Sequence, residues 1–164
     1  MPFGCGKDIR KGWINADIQT GQGIDYSFDF EKFPYPFKNN EFDYILIDNV
    51  LEHMIHPLLV INELYRISKN KAIIHIVVPY FNCAGAYNDV THYHYFNRRT
   101  FENIFQPNRS YKLDKDCRFK IMSLKLEPTL IGKIIPSFFR EICSFFIGGL
   151  IGTIECKVRI NKEN

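Results

Sequence analysis

Gly4-Cys5-Gly6 and Asp17 are the residues whose types and spacing first point to a ligand. Neither glycine carries a Cβ, so such a turn lets the backbone pass close to a bound molecule. Asp17 closes the next apolar segment, Trp13-Ile14-Asn15-Ala16-Asp17. A carboxylate at a strand end can accept charge-assisted hydrogen bonds from both hydroxyls of a ribose. The pair reads as the binding edge for a nucleoside-containing cofactor. A nicotinamide dinucleotide does not fit, because its fingerprint needs a third glycine in G-x-G-x-x-G and Ile9 stands there. The histidines raise a second chemistry. His92 and His94 are two residues apart with Asp89 close by, but no third His or Cys stands at ligand spacing, so no metal is expected.

These residues need a scaffold. Pro2-Phe3 is the stub of a first strand, and Gly6 to Gly12 leaves no room for a long helix after the turn. Strands are expected over residues 14–18 and 26–30. Two prolines make Phe33-Pro34-Tyr35-Pro36-Phe37 a loop. Phe42 to Asp48 (FDYILID) is an apolar run of β formers that suits a buried parallel strand. Asn49 to Met54 then forms a loop or helical turn. Pro57 opens a helix where its missing N–H costs nothing, Val60, Leu64 and Ile67 space its apolar face, and Asn70 is read as its left-handed cap.

A second buried strand is expected over residues 72–78, and a polar, aromatic, His-rich loop over 79–95. Residues 97–105 read as a helix with Phe101, Ile104 and Phe105 inward. Residues 118–126 read as a strand, 132–151 as one or two short apolar helices, and 153–160 (TIECKVRI) as a final alternating strand. Strands alternating with helices predict an α/β fold with a mostly parallel sheet. The last two strands are expected at an antiparallel edge.

Composition narrows the classes. The 164 residues suffice for one domain with a core, and 46% are hydrophobic. A net charge of +3 is small and neither demands nor excludes nucleic acid, whose dedicated binders usually show a denser basic face. Five cysteines, an odd number without C-x-x-C, argue against a disulfide framework and for a reducing, cytoplasmic location. The longest uncharged run, Ile142 to Ile154, is too short to span a bilayer. A glycine turn at residue 4 leaves no room for a signal peptide before the fold.

The ordered set of motifs resembles the class I S-adenosylmethionine-dependent methyltransferases, in particular the small type 11-like proteins with a compact Gly-Cys-Gly turn. The matching residues are Gly4-Cys5-Gly6, Gly12 to Asp17, Asp29-Phe30, Pro34 to Phe37, Phe42-Asp43 and Val50-Leu51-Glu52-His53. Glu63 to Ile67, Val78-Pro79, Asp89-Val90-Thr91-His92, Phe96 and Thr100-Phe101 complete it. The resemblance covers residues 3–105. It implies a Rossmann-like methyltransferase fold with a truncated first strand, a single domain over residues 1–164 and an apolar helical insertion at about 128–152.

The resemblance also assigns roles. Gly4, Cys5 and Gly6 would pass beneath the methionine part of S-adenosylmethionine. Asp17 would hold the ribose diol, with Ile18 on the adenine. Asp29 would accept from the adenine amino group with Phe30 beside it, although Asp25 is near enough to take that role. Asn49 and Val50 would meet the cofactor after the fourth strand. Methyl transfer from a sulfonium needs mainly alignment of donor and nucleophile, and a hydroxyl acceptor adds the need for a base. His92 is the candidate base, with Asp89 orienting its ring. The bland alternative is that Thr91 and His92 only fasten the loop. Tyr80, Asn82 and His94 are candidate contacts to the acceptor, with Phe81 and Tyr87 beside them.

O-methylation of a small molecule or glycan is preferred. A DNA methyltransferase is disfavoured, because Asp48-Asn49-Val50-Leu51 stands where an Asp/Asn/Ser-Pro-Pro-aromatic motif belongs. Residues 134–151 are expected to form a lid or a homodimer surface, and Lys133, Arg140 and Lys157 are too sparse for a membrane surface. The alternative is a degenerate, non-catalytic subunit of the same fold.

Overall fold

The computed structural model describes residues 1–106, 113 and 117–162. Its strands are β1 (Pro2–Phe3), β2 (Ala16–Asp17), β3 (Tyr26–Ser27), β4 (Phe42–Asp48), β5 (Ser68–Pro79), β6 (Phe119–Pro128) and β7 (Ile151–Ile160). The helices are α1 (Pro57–Ile67), α2 (Ala84–Tyr87), α3 (Arg98–Phe105) and α4 (Ser137–Ser144). One sheet contains all seven strands, in the order β3-β2-β1-β4-β5-β7-β6. The pairs from β3 to β5 are parallel, and β7 pairs antiparallel with both β5 and β6. The expected mostly parallel α/β sheet with an antiparallel C-terminal edge is therefore present, as is the short first strand.

The central strands follow from their sequences. In β5 every second residue from Ala72 to Val78 is buried, and in β7 Ile154, Cys156, Val158 and Ile160 do the same. Helix α1 covers the sheet with Val60, Ile61, Leu64 and Ile67. Helix α3 is started by Asn97, whose side chain accepts from Thr100 N while Thr100 Oγ1 accepts from Asn97 N. It buries Phe101, Ile104 and Phe105 as expected, and each such side chain contributes about 1.5–3 kcal/mol by leaving water.

Three boundaries differ from the sequence reading. The strands expected over residues 14–18 and 26–30 keep only two paired residues each. Asn15 still accepts from Tyr26 N of β3 through its carbonyl, while its side chain holds the incoming turn by donating to the carbonyls of Arg10 and Trp13. Asn70 is not a helix cap. Ser68 turns directly into extended backbone, and β5 begins there. The last carbonyls of α1 are satisfied elsewhere: Asn40 N reaches Arg66 O, Glu41 N reaches Ile67 O, and Lys162 Nζ reaches Arg66 O. A left-handed cap has nothing left to do. Inside the 79–95 loop, one short helix, α2, also forms.

Candidate functional site

The parallel strands end on one side of the sheet, where ligands of open α/β folds bind. Gly4-Cys5-Gly6 leaves β1 there. Gly4 N and Cys5 N donate to Ala16 O at 2.8 and 3.1 Å, which ties the turn to β2. Gly4 has φ of 72°, and a Cβ on it would stand 2.3 Å from Val50 Cγ2, so no other residue fits. A Cβ on Gly6 would meet nothing within 4 Å. That glycine is needed for its φ of 51° and leaves open space over the turn.

Asp17 ends β2 with its carboxylate already oriented. Gly6 N donates to Oδ2 at 2.7 Å and Gln19 N donates to Oδ1 at 2.9 Å. Each oxygen keeps a further lone pair for a ligand hydroxyl. A cavity of about 510 Å³ lies beside it, lined by Gly6, Lys7, Asp17, Gln19 and Ile24 among others. Ile18 is 59% exposed, so its side chain is free to carry an aromatic ring. Cys5 is buried, and burial followed by the Asp17 charge pushes its thiol above the ordinary range.

The other expected cofactor residues divide. Asn49 is exposed, with φ of 51°, a left-handed position that Asn tolerates. This turn sends Val50 inward under Gly4. Asp29 is partly exposed, and its Oδ1 accepts from Glu31 N. Asp25, the alternative, is committed to Asn15 N at 2.7 Å. Phe30 departs from its assigned role. Its ring stacks on Phe3 with centroids 3.8 Å apart and is 4% exposed, so it belongs to the core rather than to an adenine pocket.

The acceptor side needs larger corrections. Tyr80 is fully buried, with its hydroxyl 3.3 Å from Ser144 Oγ. Asn82 donates from Nδ2 to Ser144 O, and its own carbonyl accepts from Gly149 N. Both residues seat the 128–152 segment, and full burial keeps Tyr80 off any surface that an acceptor could reach. His94 Nε2 lies 3.3 Å from Ile55 O, fastened to the chain after the fourth strand.

His92 occupies a different place. The loop that carries it is closed at its base by a parallel bridge between Tyr80 and Phe96, where Phe81 N donates to Phe96 O. Its return half is pinned again, because Tyr93 N and His94 N both donate to Glu52 O. These bonds bring His92 to the turn Leu51–His53 that follows β4. The His53 and His92 rings meet edge to face, with centroids 4.5 Å apart. One ligand atom from each of Glu52, His53 and His92 lies within 4.8 Å of the others, a set that could hold a metal ion.

Asp89 does not orient His92. Its Oδ1 accepts from Thr91 N at 2.8 Å and from Thr91 Oγ1 at 2.7 Å, bonds that hold its carboxyl below the usual range. Thr91 Oγ1 in turn lies 2.8 Å from His53 Nδ1, so Asp89 acts through Thr91 on His53. His92 Nδ1 is held by Ala86 O at 2.9 Å.

Glu52 is the site residue that sequence reasoning missed. It is 1% exposed, and neither carboxylate oxygen has a hydrogen-bond partner. Burial is the main reason that its carboxyl is raised to about 7; its own backbone N–H and then His92 oppose, while Asp48 and Asp89 push further up. Its position after Leu51 and before His53 was visible as a motif, but not that its side chain turns inward.

A carboxyl with a raised folded-state pKa keeps a proton that the unfolded chain loses. Stability should therefore fall as pH rises from about 4.5 to about 7, by at most about 1.4 kcal/mol per pH unit. In a chelating buffer, Glu52→Gln should remove that slope. Denaturation at pH 5 and pH 8 checks it, and equal pH dependence in variant and parent would mean that the carboxylate is solvated.

The sequence matches a family model described as "Methyltransferase domain" over residues 4–76. No curated protein matches it. Among solved structures, a SAM-dependent methyltransferase from Archaeoglobus fulgidus is 14% identical, with 96% of this chain and 84% of that one covered at a TM-score of 0.62. The cyclase SpnF is 15% identical at a TM-score of 0.63, with coverages of 99% and 74%. A chain from the complex of the Haloferax volcanii Trm112 methyltransferase activator with its candidate methyltransferase is 13% identical at 0.63, with coverages of 99% and 82%. At such identities the likeness shows the fold alone. Residues 4–76, a little under half of the chain, are thus similar in sequence to a methyltransferase domain, and the sheet that carries them has the fold of the methyltransferase structures.

Proposed function

We propose that this chain is an S-adenosylmethionine-dependent methyltransferase, working as a single domain, that methylates an oxygen of a small molecule or glycan. One observation carries the reading. The turn Gly4-Cys5-Gly6 rests on Val50, two residues before Glu52, so a cofactor strap and a polar Glu/His/His cluster share one end of the sheet. The strap and Asp17 bind the cofactor, with Ile18 on its adenine and Asp29 accepting from the adenine amino group. The cluster handles the acceptor. Sulfonium chemistry supplies an activated leaving group, so the remaining needs are in-line alignment and removal of the hydroxyl proton. His92 is the base in this reading. Its Nδ1 faces a carbonyl oxygen, which can only accept, so Nδ1 carries the proton and Nε2 keeps a lone pair for the substrate proton. Five cysteines, an odd number without C-x-x-C, suit a reducing compartment such as the cytoplasm.

The rival reading is a non-catalytic subunit that binds a partner. It is favoured by the segment between β6 and β7, where Ile134 is 82% and Phe146 86% exposed beside Leu130, Phe138 and Phe145. A neighbour of the same fold occurs in a complex with a methyltransferase activator. In the catalytic reading the same face joins two copies of this chain.

Three measurements test these statements. Calorimetric titration should give micromolar affinity for S-adenosylmethionine, and Asp17→Ala should weaken it by about 1.5–3 kcal/mol, the scale of a hydrogen bond to a charged group. No binding by the folded protein would support the non-catalytic reading. His92→Ala should retain cofactor affinity while turnover falls by about 10²-fold or more, followed as S-adenosylhomocysteine release with an acceptor found by screening hydroxyl compounds. Unchanged turnover would remove the role. Ile134→Ser with Phe146→Ser should convert a dimer to a monomer in sedimentation, whereas a wild-type monomer would assign the face to another partner.

A further inference from the structure

We propose that Glu52, His53 and His92 form a binding site for a divalent transition-metal ion. The cation site stands on geometry; its part in methyl transfer rests on the reading above. The first observation is the cluster itself, with ligand atoms within 4.8 Å of one another. Bonds of about 2.1 Å in a tetrahedral site need ligand atoms about 3.4 Å apart, which modest side-chain rotation supplies. The second observation is Glu52. Its carboxylate is buried with no donor to either oxygen, a costly state that a cation removes.

The proton inventory around the two rings points the same way. Asp89 accepts the Thr91 hydroxyl proton, so Thr91 Oγ1 must accept from His53 Nδ1–H. Ala86 O accepts from His92 Nδ1–H. Each imidazole is thus fixed as the tautomer whose Nε2 holds a lone pair, and each has the outer hydrogen bond typical of a metal-ligating histidine. Each histidine then keeps one nitrogen lone pair for a cation, and a cation entering the cluster displaces the proton that burial favours on Glu52. Two imidazoles and one carboxylate favour manganese, iron, cobalt or zinc over magnesium or calcium, which take oxygen ligands. Three protein ligands leave at least one coordination position open.

The open position fits the acceptor hydroxyl. Bound to the cation, the hydroxyl gives up its proton to solvent at neutral pH. The oxygen then attacks the methyl carbon, the C–O bond forms as the C–S bond breaks, and the sulfonium becomes the thioether of S-adenosylhomocysteine. In the metal-loaded protein His92 is therefore a ligand, and the cation replaces it as the means of deprotonation.

Manganese is the best probe, because the five cysteines compete weakly for it. The full chain is stripped with chelator and titrated with MnCl2, and free ion is read by electron paramagnetic resonance. One ion per chain should bind, with magnesium a poor competitor. Glu52→Gln and His53→Gln should each weaken binding at least tenfold with an unchanged circular dichroism spectrum, while His94→Ala, outside the cluster, should not. No saturable binding, or equal affinity in both cluster variants, would overturn the site. Cofactor affinity measured in chelator reports separately on the methyltransferase reading, so failure of one is not failure of the other.

Discussion

A single hydrogen atom is all that fits between the exit of the first strand and Val50. Gly4 supplies it, and the rest of the site depends on that approach. If the strap stood one methyl group farther out, Val50 would lose its cover and the turn after β4 would lose its seat. That turn also aims Glu52 and His53. The strap over the expected cofactor and the polar cluster are therefore positioned by one packing contact rather than by two independent loops. Asn49 completes the coupling, since its left-handed backbone reverses the chain within one residue.

Around that contact the molecule is conventional in its energetics. Aromatic rings fill the space beneath the strap, where Phe3, Phe28, Phe30 and Tyr35 pack on one another. The other buried carboxylates among the described residues have partners: Gly6 N and Gln19 N donate to Asp17, and Arg66 makes paired bonds to Glu63 at 2.6 and 2.9 Å while capping the carbonyls of Tyr35 and Phe37. Glu52 is the exception. Among the described residues, Glu52 is the one buried carboxylate without a hydrogen-bond partner, and it stands beside two histidines. Functional sites are where such local inconsistency is expected.

Much of the fold was legible because its signals are local. FDYILID matched β4 residue for residue, Pro57 opened α1, and the spacing of Phe101, Ile104 and Phe105 gave the inner face of α3. The strap and Asp17 were legible as well, since a glycine turn and a strand-end acid depend only on their own stretch of chain. What failed lay mostly in the site, where side chains from distant stretches of chain meet. Phe30 and Tyr80 read as site aromatics, yet a ring looks the same in sequence whether it faces a ligand or another ring. The Glu52–His53–His92 cluster was invisible because spacing along the chain is no guide when the Tyr80–Phe96 bridge folds a loop back onto a distant turn. Asp89 was assigned to the nearer histidine for the same reason, whereas Thr91 hands its charge to His53.

The strand order has a consequence for how the chain is made. β7, the last strand in sequence, lies between β5 and β6. While a ribosome is still building the chain, β5 has only one neighbour and its second edge stays unpaired, although Ile74, Ile76 and Val78 already form a sticky strand. β6 emerges next but cannot take its final place until β7 arrives to separate it from β5. The nascent protein thus spends the later part of its synthesis with an open apolar edge, and it is during that interval that a chaperone has a surface to hold.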